Sequence, residues 1–185
     1  MVFITLAEIF DLVVMTFGVG IIFTGMFQIP VRDVLNHSQF REIMISTLIA
    51  APGIVFHELA HKMVAMAFGL AATFHAHYTF LMMGIVMKYL LGWVVFVPGY
   101  VSISGASSMQ SAISAFAGPA TNLALALLSM AVLRYKKGMA HSTQIGLIIS
   151  QKLNFFLFGF NMIPLPPFDG FTVVMGLFHA IQGAV

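Results

Sequence analysis

The sequence predicts an all-α polytopic membrane protein with about five to six transmembrane helices and a short β-strand or re-entrant region near its middle. Three observations lead there. Of 185 residues, 60% are hydrophobic and only 8% are charged, whereas ordinary soluble domains carry roughly 25% charged residues. The apolar residues fall in long runs separated by short polar or proline-rich breaks. One zone alone, flanked by aromatic and β-branched residues, departs from helical patterning. The length suits one membrane-embedded domain over residues 1–185 with no separate soluble module.

The elements follow in order. Residues 3–28 form a first apolar segment long enough to span a bilayer. A polar loop covers 29–42, and a second apolar segment runs over about 43–70, with Pro52-Gly53 placed to kink it. The third zone, 78–101, is interrupted by Lys88, Gly92 and Pro98-Gly99. Its flanks, from Thr73 to Tyr78 and from Trp93 to Ser104, suit short strands. A helix over about 109–133 ends at Arg134-Tyr135-Lys136-Lys137-Gly138, a basic last turn followed by glycine. A further helix over 145–163 stops at Pro164, Pro166 and Pro167, which cannot continue it. A last short helix begins near Phe171. If the second, fourth and fifth segments build one site, they must meet at one depth. The 78–101 zone is then a re-entrant or interfacial element rather than a single crossing, tolerable where irregular backbone lines a cavity.

Within the second segment stands His57-Glu58-Leu59-Ala60-His61. Residues four apart share a helix face, so both imidazoles can bind one zinc ion, with Glu58 between them placed to take a proton from activated water. The chain has no cysteine. Disulfides, thiolate zinc sites and a cysteine nucleophile are thereby excluded, and any zinc must use histidine or carboxylate ligands. A catalytic zinc that keeps one position for water needs a third protein ligand. Asp169, between the prolines and Gly170, is the best candidate; as an alternative it caps the last helix. The net charge of +2 without a Lys/Arg run gives no reason to expect nucleic acid as a partner.

Three motifs in this order carry a resemblance: H-E-x-x-H at His57 to His61, G-P-x-x-N at Gly118 to Asn122, and N-x-x-P-x-x-x-x-D-G at Asn161 to Gly170. The chain resembles the site-2 protease family of intramembrane zinc metalloproteases, over a catalytic core of about 43–180 and without the PDZ or CBS domain that members often add. The resemblance implies one catalytic zinc held by His57, His61 and Asp169, with Glu58 as general base. It implies an intramembrane endopeptidase acting on a membrane-protein substrate's transmembrane segment, in regulated intramembrane proteolysis. Asn122, and after it Asn161, are expected to donate to the oxyanion or to hold substrate backbone. Residues 101–104 are expected to pair with an unwound substrate. The competing class is a non-peptidase metal-binding membrane protein, a transporter or an inactive homologue. Glu58 separates the two, because zinc binding does not need an acid there and hydrolysis does.

His75 and His77, two apart, share a face on a strand and are candidates for an accessory metal contact. Glu8 and Asp11 are expected at the membrane interface near the start of the first helix, and Trp93 and Tyr100 as interface anchors or strand residues. The expected setting is the cell membrane of a prokaryote, with the protein multi-pass in the bilayer and its oligomeric state open. The Lys/Arg distribution favours an outward-facing site; the family resemblance favours the cytosolic face and is preferred.

Overall fold

The computed structural model describes residues 3–25, 39–92 and 98–183. Most of the polar loop and Trp93 lie outside them. Six helices and two strands follow one another: α1 (Leu6–Phe23), α2 (Gln39–Ala67), β1 (Ala71–Ala76), α3 (Tyr78–Leu91), β2 (Gly99–Ser104), α4 (Ser108–Tyr135), α5 (His141–Asn161) and α6 (Asp169–Gln182). The strands form a two-stranded antiparallel sheet with Ala71 opposite Ser104 and Ala76 opposite Gly99. The expected strand flanks are therefore present. The apolar run between them is the helix α3, whose 14 residues reach about 21 Å at 1.5 Å per residue, short of a hydrocarbon core about 30 Å thick.

Among the described residues, three helices are long and apolar enough to cross a membrane: Leu6–Phe23, Phe40–Ala67 and Ser108–Tyr135. The expected count of about five to six spans is not reached on these criteria. α5 has the length, with 21 residues, but Gln144, Gln151, Lys152 and Asn154 lower its apolarity. α6, at 14 residues, is short, as is α3. α2 continues through Pro52 and α4 through Pro119, so neither proline ends its helix.

The apolar core gathers where α1 meets the sheet and α2. Met15, Val19 and Ile22 form one face of α1 and pack with Ala50 and Ile54 of α2, Phe74 of β1, Leu81 of α3 and Leu153 of α5. Their spacing of three and four places them on one stripe. Large apolar side chains also cover the outside: Leu6, Leu48, Leu90 and Leu128 are all at least 60% exposed, as suits helices surrounded by hydrocarbon.

Two carboxylates of α1 hold the sheet, a role beyond the interfacial placement expected for them. Glu8 completes a capping box with Thr5 and pairs with Lys62 of α2, and both are about 2% exposed. It also accepts the Phe74 N–H at 2.8 Å. One turn on, Asp11 accepts the Ala76 N–H at 3.1 Å and the Tyr78 hydroxyl. Phe74 and Ala76 are two apart, so their N–H groups point to one edge of β1. The carboxylates cap that edge, and α1 is thereby tied to the zinc-motif helix and the sheet together. Acids and lysine this close to an apolar span are stable only when paired.

Candidate metal centre

His57 and His61 lie one turn apart on α2, with ring centroids 4.6 Å apart and ring planes nearly perpendicular at 85°. Both are buried, as is Glu58 between them. Asp169 is the first residue of α6, with Phe168 as N-cap. The prolines stop α5 before it, and the intervening turn returns the chain to the histidines. As the acid in the first turn of α6, Asp169 also sits where the helix dipole favours a negative charge.

These residues form the single group of three or more His, Asp or Glu among the described residues that could hold a metal ion. Asp169 Oδ2 lies 3.1 Å from His57 Nε2 and 3.4 Å from His61 Nε2, and the two Nε2 atoms are 3.0 Å apart. A tetrahedral zinc with bonds of about 2.0–2.1 Å separates its ligand atoms by about 3.3 Å, so the spacing fits that ion. The donor chemistry fits as well. His57 Nδ1 is 2.6 Å from Asn122 Oδ1 and His61 Nδ1 is 2.7 Å from the Ser114 carbonyl oxygen. Both partners are acceptors, so each ring carries its proton on Nδ1 and presents a lone pair at Nε2.

α4 crosses α2 directly at this pair. A Cβ on Gly118 would stand 2.6 Å from His57 Nε2 and closer still to His61 Nε2. No residue but glycine leaves that space. Pro119 removes the N–H that would bond the Ala115 carbonyl, one residue beyond the Ser114 carbonyl that His61 uses. Gly118→Ala is expected to weaken zinc binding by about 10- to 100-fold or more, measured by chelator competition. Retention of wild-type affinity would show that the crossing is not set by this glycine.

A cavity of about 350 Å³ opens on the site. Glu58 lines it with the three candidate ligands; Pro98, Tyr100, Val101 and Ile103 contribute from the β2 side, and Asn161 and Phe160 from the end of α5. Asn122 is fully buried. Beyond its contact with His57, its Nδ2 donates to the Gly53 carbonyl and to Asn154 Oδ1, each at 2.9 Å, so both its N–H bonds are used inside the protein. Asn161 donates one N–H to the Leu157 carbonyl at 3.0 Å; its other N–H has no partner among the described residues.

His75 and His77 stand apart from this group. His75 lies against Tyr100, with centroids 5.3 Å apart, and His77 stacks on Phe80 at 4.1 Å. Sequence reasoning missed Lys62, Asn154 and the pairing of Glu8. A lysine directly after the second motif histidine, inside an apolar helix, was the available signal that a buried acid had to face it.

No protein-family model matches the chain, and no solved structure matches it. Among curated proteins it is similar to a Methanocaldococcus jannaschii protein named putative zinc metalloprotease, with 34% identity over 169 residues that cover 90% of this chain and 83% of the relative. On that likeness the chain belongs to this zinc metalloprotease family.

Proposed function

We propose that the protein is an intramembrane zinc endopeptidase of the site-2 protease type. It would hydrolyse a peptide bond in or near the transmembrane segment of a membrane-protein substrate, as a step in regulated intramembrane proteolysis. The observation that carries the reading is a His57–His61–Asp169 group spaced for one zinc, with both histidines buried on a helix apolar enough to cross a bilayer. In this reading the protein is multi-pass, α5 crosses beside the three apolar helices, and the site opens toward the cytosolic face.

His57, His61 and Asp169 would hold the ion. Zinc supplies Lewis acidity, which makes water nucleophilic near neutral pH and polarises a carbonyl. Glu58 lines the same cavity, takes the proton from the attacking water and returns it to the leaving amine. Asn161, with one N–H unpartnered among the described residues, would donate to the oxygen on which charge develops, while Asn122 is occupied in orienting His57. A helical substrate must unwind, because its carbonyls are engaged and its backbone is shielded. β2 pairs with β1 on one side and has no strand on its other side among the described residues. In this reading residues 101–104 receive an extended segment by β-addition, which the unpaired side of β2 supports.

The test uses the protein reconstituted in a bilayer with a helical transmembrane substrate. Cleavage is expected with zinc, is lost on chelation and returns when zinc is restored. Tight zinc binding without cleavage of any of a panel of such substrates would favour the non-peptidase metal protein instead.

A further inference from the structure

Asn154 lies on α5, outside every motif that points to the metal. It is 1% exposed, and its contacts continue a chain that ends at His57. Asn154 Nδ2 donates to the Ser150 carbonyl at 2.8 Å and lies 3.3 Å from the Ser150 hydroxyl. Its Oδ1 receives one N–H of Asn122, whose other N–H goes to the Gly53 carbonyl and whose Oδ1 faces His57 Nδ1. The direction of every bond in this chain is fixed from its ends. Backbone carbonyls can only accept. Ser150 therefore forces the nitrogen of Asn154 toward itself and its oxygen toward Asn122. Gly53 and Asn154 then both demand the nitrogen of Asn122. The oxygen of Asn122 must face His57, and His57 must donate from Nδ1.

We infer that Asn154 is a positioning residue for the metal centre: acting through Asn122, it holds His57 in the tautomer and ring orientation that present Nε2 to the ion. The inference rests on the reading of His57 as a metal ligand. Polar residues on membrane helices often serve only as interhelical glue. Two features set this one apart. Its oxygen meets an amide already committed to a candidate ligand. The approach is also built into the neighbouring helix, since a Cβ on Gly53 would stand 2.7 Å from Asn154 Oδ1. α2 thus gives up a side chain one turn before His57 to let the amide of α5 reach across. Outer partners of ligating histidines typically contribute 10- to 100-fold in metal affinity; Asn154 is one link further out and is placed near the lower figure.

The experiment measures zinc affinity by chelator competition on full-length folded protein in detergent, with the visible spectrum of the cobalt(II)-loaded form as a second readout. Asn154→Ala is expected to bind zinc about tenfold more weakly and to shift the cobalt bands. Asn154→Asp, which as a buried neutral acid keeps an acceptor for Asn122 and a donor for Ser150, is expected to restore most of the affinity. Leu153→Ala removes a neighbouring buried side chain without touching the chain of amides; it is expected to lower thermal stability and leave zinc affinity unchanged. Equal losses of affinity in Asn154→Ala and Leu153→Ala, or no loss in Asn154→Ala, would overturn the inference while leaving His57 as a ligand. Wild-type affinity in His57→Ala would overturn both the metal-centre reading and the inference built on it.

Discussion

Glu58→Gln is expected to keep its zinc and lose its cleavage. The variant preserves the size of the side chain and leaves His57, His61 and Asp169 untouched. Glu58 is buried on α2 between the two histidines and lines the cavity into which they face, without belonging to the group spaced to hold the ion. Glutamine can neither accept the proton of the attacking water nor return it to the amine. General acid–base groups typically contribute about 10²- to 10⁴-fold in rate, and a loss in that range is expected in a bilayer cleavage assay with zinc content measured in parallel. Cleavage within threefold of wild type would show that another group carries the proton. Loss of zinc together with activity would instead move Glu58 into the binding set.

Lys62→Met is expected to destabilise the fold more than any exposed substitution in the chain. Lys62 and Glu8 are paired out of contact with solvent. Removing one partner leaves an uncompensated buried charge at a cost of about 3–5 kcal/mol. Replacing both with neutral groups removes that charge. Glu8→Gln combined with Lys62→Met keeps a carbonyl oxygen for the Phe74 N–H, and it should recover much of the stability. Thermal unfolding in detergent gives the comparison. If the single and double variants unfold at the same temperature, the uncompensated charge of Glu8 is not what destabilises the single variant. The position of Lys62, adjacent to His61, also makes zinc retention in the single variant a local report on whether α2 has shifted against β1.

The residues close to chemistry were the most legible in the sequence. H-E-x-x-H declares its own geometry, because a helix fixes positions four apart. Asp169 was legible because three prolines end a helix just ahead of it, and a carboxylate at such a break inside an apolar region needs a reason. The strands were visible as composition. α3 was not, because an apolar run of 14 residues broken by Lys88 is consistent with a loop, a strand or a helix until the sheet around it is known. The Glu8–Lys62 pair and the Asn154–Asn122 contact were hidden for a different reason. Each joins residues on different helices, 54 and 32 positions apart, and neither has a local period or spacing that could announce it. Asn122 shows the limit from the other side. Its motif marked it as important, but only the directions of its hydrogen bonds reveal that its N–H groups are already used.

Asp169 begins α6, α6 packs against α4, and α4 packs against α2, the helix that carries both histidines. An ion shared by these three side chains would clasp together α2 and α6, two helices that each pack against α4. It closes a loop running from α2 to the last helix, and closing so long a loop costs little more than closing a short one. The free energy of holding the metal and that of docking α6 would then be linked, each adding to the other. Whatever loosens α6 would weaken the grip on the ion, and stripping the ion would leave that helix to its packing against α4.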